Sequence, residues 1–377
     1  MVLDVTARTA PLAEAAARMA RLLPARSLQP MLAGVLLRAD GDSLLLTAAE
    51  GEQSVQVRVP VTVHTAGEVV VSRRGLAETL AALDAYEVRL AAEGPRLALR
   101  TPGARFALSQ LEVTSYPRPA HPPPRVGAIS GPALRAAAVP VAAAASREAA
   151  LPIFTGVRMR SRGDRLSLLA TDRFRMAAAT ATWQPADDGV TMDALVPAAL
   201  LAEVAKQAGT ADTVTLHADA DRFGLGWSGG HILTTSLAMP FPDRQIDQLL
   251  EVRAECAVEL EADPLIAALQ RALPYSGPHG RVTVHVRDGV LVVQGHDPMT
   301  GESEEAVKAA SHGNHLTRCY QARFLLDALR PFAGRSALIE VQEGLRATVI
   351  TTERDDGIDL KCLVVPMRPA EPGLTGR

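Results

Sequence analysis

The chain repeats itself, and an internal repeat restricts the possible folds more than any single motif does. The stretch Gln29-Pro-Met-Leu-Ala-Gly-Val-Leu-Leu-Arg-Ala-Asp-Gly-Asp-Ser-Leu-Leu-Leu returns as Leu151-Pro-Ile-Phe-Thr-Gly-Val-Arg-Met-Arg-Ser-Arg-Gly-Asp-Arg-Leu-Ser-Leu. Pro30 and Pro152, Gly34 and Gly156, and the Gly-Asp pairs at 41–42 and 163–164 are each 122 positions apart. Two short strands around a Gly-Asp turn are the signature of a β-hairpin. A degenerate third copy, Arg281-Val-Thr-Val-His-Val-Arg-Asp-Gly-Val-Leu-Val-Val, places its Asp288-Gly289 turn about one period further on.

The surroundings repeat as well. Alanine-rich helical stretches precede the hairpins at 11–23, 132–146 and 263–273, and second helices follow at 73–84, 198–208 and 322–332. The first two units close on Tyr116-Pro117 and Phe241-Pro242. Three units of about 120 residues, each with two helices and several alternating strands, define an antiparallel α+β class with helices on one sheet face. A solenoid is the competing reading, but its repeats run about 20–50 residues. The linkers are expected at 117–127, rich in proline, and at 243–256.

Composition narrows the function classes. In 377 residues, nearly half are hydrophobic and 21% are charged, enough for two to four cored domains and too apolar for wholesale disorder. No run approaches the ~18 apolar residues of a membrane helix, and the N-terminus lacks a signal-peptide layout. A cytoplasmic protein without a membrane partner is expected. Cys256, Cys319 and Cys362 stand far apart with no CxxC spacing, so neither a zinc site nor a disulfide framework is expected. Only three of the 39 basic residues are lysine, a bias that fits GC-rich coding.

Charge is unevenly placed. Over 11–26, 73–84, 132–148, 198–208, 263–275 and 320–335 there are twelve basic and seven acidic residues, so these stretches carry +5 and the rest −8. A solvated face explains any one helix; six together favour a common basic surface facing a polyanion. Lys and Arg on phosphates give sequence-independent binding. With aromatics at 3%, a single-strand stacking platform is disfavoured. The expected polyanion is duplex DNA, held loosely by its backbone.

Several enzyme-like motifs are coincidental. Gly224-Leu-Gly-Trp-Ser-Gly-Gly contains both GxGxxG and a GxSxG around Ser228. Each needs a strand before it and a helix after it, whereas His231-Ile-Leu-Thr-Thr-Ser-Leu reads as another strand, so a β-turn explains the glycines. His312 and His315 lie three apart in a polar segment that reads as a loop, and Asp219/Asp221 lack the rest of a calcium loop. No catalytic, metal or cofactor site emerges.

Ala170-Thr-Asp-Arg-Phe-Arg-Met-Ala, Val364-Val-Pro-Met-Arg, Leu151-Pro-Ile-Phe-Thr-Gly and Phe241-Pro-Asp together resemble the bacterial DNA polymerase III β subunit, the sliding clamp. The segment Leu23–Leu37 looks particularly like actinobacterial members. The resemblance spans residues 1–369 and implies clamp domains at 1–125, 126–250 and 251–369, followed by a tail at 370–377. It implies a non-enzymatic processivity factor, a homodimer whose six domains form a ring around duplex DNA. The DNA polymerase III α subunit, the clamp loader and other proteins carrying a clamp-binding motif would be its partners.

The resemblance also implies sites. Arg26 and the loop around Ser146, Arg147 and Glu148 would meet DNA, with Arg18, Arg21, Arg73, Arg135, Lys206 and Arg271 added from charge alone. A peptide groove would be lined by Phe154, Thr171, Arg173, Phe174, Arg175, Met176, Pro242, Ile246, Leu363, Val365, Pro366, Met367 and Arg368. That lining is apolar and adaptable with arginines at its rim; core packing is the competing reading for Met176, Val365 and Met367. The dimer seam would pair an edge strand near Ala104, Phe106 and Leu108 with one at 303–308 carrying Ser303 and Glu305, with Leu273 and Pro274 adding an apolar contact. A monomer is the alternative.

The chain departs from the family in places. Thr47-Ala-Ala-Glu-Gly stands where an Ala-Thr-Asp-like segment is expected, Arg244-Gln-Ile-Asp-Gln lacks the usual tyrosine, and Pro369 replaces a terminal leucine. Pro274–Gly280 is unusually rich in glycine and proline. These changes motivate an alternative within the class, a diverged paralogue conferring resistance to a clamp-binding inhibitor. A serine hydrolase using Ser228 is the remote alternative.

Overall fold

The computed structural model describes residues 2–23, 29–148, 150–237, 241, 243–353 and 357–368. All three Gly-Asp or Asp-Gly turns are two-residue hairpin loops. They join Gly34–Asp40 to Ser43–Glu50, Gly156–Arg162 to Arg165–Thr171, and Arg281–Arg287 to Val290–Asp297. Gly41, Gly163 and Gly289 each take a left-handed φ, at 61°, 56° and 74°. An L side chain resists that conformation, which is why glycine recurs at these turns.

Seven helices form among the described residues: α1 (Thr9–Leu22), α2 (Arg73–Ala81), α3 (Gly131–Ala143), α4 (Ala198–Gln207), α5 (Asp243–Leu250), α6 (Ala262–Ala272) and α7 (Ala322–Leu329). Six occupy the six expected stretches. The seventh, α5, corrects the sequence reading, which took 243–256 as a linker. α1 shows why these segments are helical: Leu12, Ala15, Ala16, Met19 and Leu22 are buried at helical spacing, one apolar stripe against the sheet side. No described helix is long and apolar enough to cross a membrane.

The chain forms two compact units that do not coincide with the three repeats. One comprises 1–135 with 183–237, the other 136–182 with 238–377. In the first, Asp4–Arg8 pairs with both Glu87–Glu93 and Gln53–Thr65, closing the strands of the first repeat into a circuit. The outer edge of Gln53–Thr65 then pairs with Gly230–Thr235 of the second repeat, Val57 opposite Gly230 and Ser54 opposite Leu233. The sheet continues through Arg222–Trp227, Val214–Ala218 and Arg125–Ile129.

In the second unit, the strands Gly156–Arg162, Arg165–Thr171 and Arg175–Thr182 of the second repeat continue into the third. Arg175–Thr182 pairs with Asp359–Val364, followed by Thr348–Thr351, Ser336–Gln342 and Ala254–Glu261. A separate four-stranded sheet holds Gly301–Lys308, Val290–Asp297, Arg281–Arg287 and Thr317–Gln321. All the strand pairs given a register are antiparallel. Consecutive repeats are therefore joined by continuous sheet.

Tyr116 closes the first repeat's core. It is buried, its hydroxyl accepts the Ala49 N–H at 3.2 Å and lies 3.2 Å from the Gly34 carbonyl. Its counterpart in the second repeat, Phe241, is only partly buried and lies against a different cluster.

Candidate functional site

On the sheet of the second unit, Met176 lies opposite Leu363, and Leu363 opposite Val349. Residues directly opposite across adjacent strands share a face, so the three form an apolar row. Ile246 of α5 and Ala347 complete a buried cluster, and Leu169, Phe241, Leu250, Val252 and Val365 pack against it while keeping part of their surface in solvent. A dry floor with a half-exposed apolar rim suits an apolar side chain arriving from solution.

Beside this floor, the turn between Arg165–Thr171 and Arg175–Thr182 is tied by its own side chains. The Asp172 carboxylate accepts the N–H groups of Phe174 and Arg175 at 3.0 and 2.9 Å. Thr171 Oγ1 accepts the Arg173 N–H at 3.1 Å and donates to the Arg175 carbonyl at 2.8 Å. These bonds hold Arg173 at φ 81°, a conformation costing a side-chain-bearing residue roughly 1–2 kcal/mol. Arg175 faces away from Met176, as strand alternation requires, and pairs with Asp172 and with Asp327 of α7, each at 2.9 Å.

Four of the expected lining residues, Met176, Ile246, Leu363 and Val365, thus meet in one cluster. Phe154, Arg173, Phe174 and Arg175 form an adjoining cluster with Phe324 of α7, whose ring lies 6.2 Å from that of Phe174 and 4.8 Å from the Arg175 guanidinium. Arg175 was expected at the rim, but its two carboxylate partners leave it 12% exposed, so it braces the turn. Beyond the cluster, the Met367 N–H donates to the Cys319 carbonyl at 2.7 Å, Pro366 is buried and Arg368 is exposed. Pro242 and Pro369 lie outside the described residues, as do the tail at 370–377 and the side chains of Arg244, Gln245 and Asp247.

The sequence reading missed Leu169, Phe241, Leu250, Val252, Ala347, Val349 and Phe324. Thr348–Thr351 shows no alternation, since Val349 and Ile350 are adjacent and both buried, so the sequence held no signal for Val349. The 246/249/250 spacing could have revealed α5 as an amphipathic helix.

The basic helices are less bare than their sequences imply. Arg73 corrects the DNA-facing set: it is buried at 5% exposure with Glu50 3.8 Å away, and desolvation lowers its pKa. Such a guanidinium serves the interior. Arg18 pairs with Glu14 one helical turn away, Arg21 with Glu203 of α4 at 2.9 Å, and Arg271 with Glu305 at 2.9 Å. Arg135, Arg147 and Lys206 are exposed, and among the described residues no carboxylate lies within 4 Å of them. Ser146 Oγ accepts the Glu148 N–H at 3.1 Å, holding their loop in a tight turn. Arg26 lies outside the described residues.

Both expected seam segments are strand edges. Ala104–Leu111 pairs along its length with Arg96–Thr101, but on its other side meets Glu68–Ser72 only at Gln110 and Leu111. Phe106 on that edge is 42% exposed. Gly301–Lys308, carrying Ser303 and Glu305, ends the four-stranded sheet. Leu273 and Pro274 form a short 3₁₀ turn after α6.

The enzyme-like motifs resolve as structure. Ser228 lies in the two-residue turn joining Arg222–Trp227 to Gly230–Thr235, a strand–turn–strand that builds no nucleophile elbow. His312 sits on a short strand, Ala310–Gly313, rather than in a loop, and His315 Nε2 meets Asp288 at 2.8 Å. Asp219 caps its own turn, accepting the N–H groups of Asp221 and Arg222. Cys256, Cys319 and Cys362 are all buried, and no disulfide joins them among the described residues. Among the described residues no group of three or more His, Cys, Asp and Glu lies close enough to share a metal ion.

His231 has a measurable consequence. Burial, then the nearby His217, hold its pKa below the ordinary 6.5. The unfolded chain therefore binds more protons below about pH 6.5, and stability falls as pH drops through that value towards the folded pKa. His231→Gln is expected to flatten this part of the stability–pH curve in urea titrations; an unchanged slope would assign the pH dependence elsewhere.

Comparison with known proteins identifies the class. Residues 3–120, 128–243 and 248–368 match, in order, the N-terminal, central and C-terminal domains of the DNA polymerase III beta subunit. The chain belongs to this family, the bacterial beta sliding clamps, which are non-catalytic processivity factors of DNA replication. It is 31% identical to the beta sliding clamp of Streptomyces coelicolor over 95% of this chain and 97% of that one. It is 27% identical to the beta sliding clamp homolog GriR of Streptomyces muensis, over 84% and 85%. Among solved structures, the Pseudomonas aeruginosa clamp bound to griselimycin superposes with a TM-score of 0.88 at 21% identity, covering 98% of this chain and all of that one. These findings bear out the actinobacterial resemblance and the fold of three tandem clamp domains.

Proposed function

We propose that two copies of this chain close head to tail into a ring around duplex DNA and tether polymerase and other replication proteins by short peptides bound in the Met176–Leu363 groove. The observation that carries this reading is the apolar row Met176–Leu363–Val349 with its half-exposed rim, a surface that family membership alone does not guarantee in a diverged chain. An extended peptide with two large apolar side chains fits that chemistry.

Ring closure would cover the free edges of Ala104–Leu111 and Gly301–Lys308, which are otherwise liabilities for uncontrolled pairing. A closed ring retains DNA topologically, so a few exposed cations such as Arg135, Arg147 and Lys206 suffice, and the ion pairs of Arg18, Arg21 and Arg271 keep phosphate contacts weak enough for sliding. Light scattering with and without a clamp-binding peptide tests the reading. The expected result is the mass of a dimer that binds peptide with roughly micromolar affinity. A monomer would overturn the ring, and a dimer indifferent to the peptide would overturn the groove.

A further inference from the structure

Four of the seven phenylalanines of this aromatic-poor chain lie at the candidate groove: Phe241 beside the apolar floor, and Phe154, Phe174 and Phe324 in the adjoining cluster. The Arg173 guanidinium lies over two of these rings, 5.9 Å from the centroid of Phe154 and 5.7 Å from that of Phe174. Both distances are within cation–π range. Phe174 is 54% exposed and Arg173 is exposed as well. Arg175, the neighbouring arginine, has two carboxylates, whereas among the described residues none lies within 4 Å of Arg173.

Arg173 is also the one non-glycine residue with a left-handed φ among those described. Strained backbone persists where the surroundings over-determine it, and it clusters at ligand clamps. Here Thr171 and Asp172 hold the turn so that the guanidinium is fixed against the two rings with its hydrogen-bonding edges still unneutralised. A planar cation oriented in advance on aromatic faces loses little freedom when it takes up a carboxylate.

We propose that Arg173 is a specificity-determining residue, selecting partner peptides that carry an acidic side chain next to the apolar residues filling the groove. This rests on the peptide-groove reading above and deepens it. Apolar anchors supply the affinity, and Arg173 distinguishes an acidic flank from a neutral one.

The test uses the full chain and synthetic peptides with a leucine–phenylalanine pair flanked on either side by glutamate or, in matched controls, by glutamine. Fluorescence anisotropy is expected to give about threefold to fivefold tighter binding of a glutamate peptide than of its control at low salt, with the gap narrowing at high salt. Arg173→Gly, which accepts the left-handed φ without strain, is expected to bind both at the affinity of the control. Arg173→Lys keeps the charge and loses the planar fork, and is expected to fall between. Equal binding of the two peptides to the native chain, or a preference surviving Arg173→Gly, would overturn the role of Arg173 and leave the groove standing. Failure of every peptide to bind would overturn the groove and this inference with it.

Discussion

Val365→Asp is expected to lower affinity for a clamp-binding peptide by more than about a hundredfold while leaving the protein folded. Val365 packs against the cluster of Met176, Ile246, Val349 and Leu363 and keeps part of its surface in solvent. In the free protein, water reaches the new carboxylate on the side that Val365 already exposes, and the lost apolar packing costs about 1–2 kcal/mol. Once a peptide covers the groove, that charge sits among apolar side chains without a partner, and desolvation costs several kcal/mol. The Val365 N–H bond to the Phe174 carbonyl, 2.9 Å, involves only the backbone and survives. Isothermal titration against a peptide, with thermal melting as the folding control, checks this. Retained affinity would show that the peptide binds elsewhere.

Trp183→Ala is expected to be the most damaging single truncation in the first unit. Trp183 is 2% exposed, and its ring lies so close to Gly127 that a Cβ there would meet ring carbons at 2.4 and 2.7 Å. Gly127 is thus the gap the indole fills. Removing the ring leaves a cavity that neighbouring strands cannot close, costing about 3–5 kcal/mol. In a unit of this size that corresponds to a fall of roughly 10 °C in its melting transition. Gly127→Ala attacks the same contact from the other side and should also destabilise. A fall below about 2 °C by calorimetry for Trp183→Ala would mean that the site collapses far more freely than this packing allows.

Local features of the fold were legible in the sequence because their causes are local. The Gly41, Gly163 and Gly289 turns and the six expected helices depend on residues a few positions apart, and they appear where expected. What escaped depends on distant partners. Nothing near Arg73 announces its burial against Glu50, and nothing near Arg21 or Arg271 announces Glu203 or Glu305. The excess helical charge therefore overstated how much positive surface is left free. α5 was hidden because its polar residues outnumber its apolar ones, and only the cluster around Ile246 shows what its apolar side is for. Of the candidate groove, Met176, Leu363 and Val365 were reached through resemblance. Val349 needed the strand register, which brings it opposite Leu363, and Phe324 needed the packing of α7 beside the turn at 172–174.

The joints between repeats have a consequence for how such a chain ages. Gln53–Thr65 meets Gly230–Thr235, and Arg175–Thr182 meets Asp359–Val364, through ladders of peptide groups. A main-chain bond is indifferent to most changes of side chain, provided proline and buried charge stay out of the ladder. Substitutions can accumulate on either side of each joint without loosening it. The architecture therefore outlasts the residues that first built it, which accounts for a superposition at TM-score 0.88 with a protein sharing only 21% of its sequence.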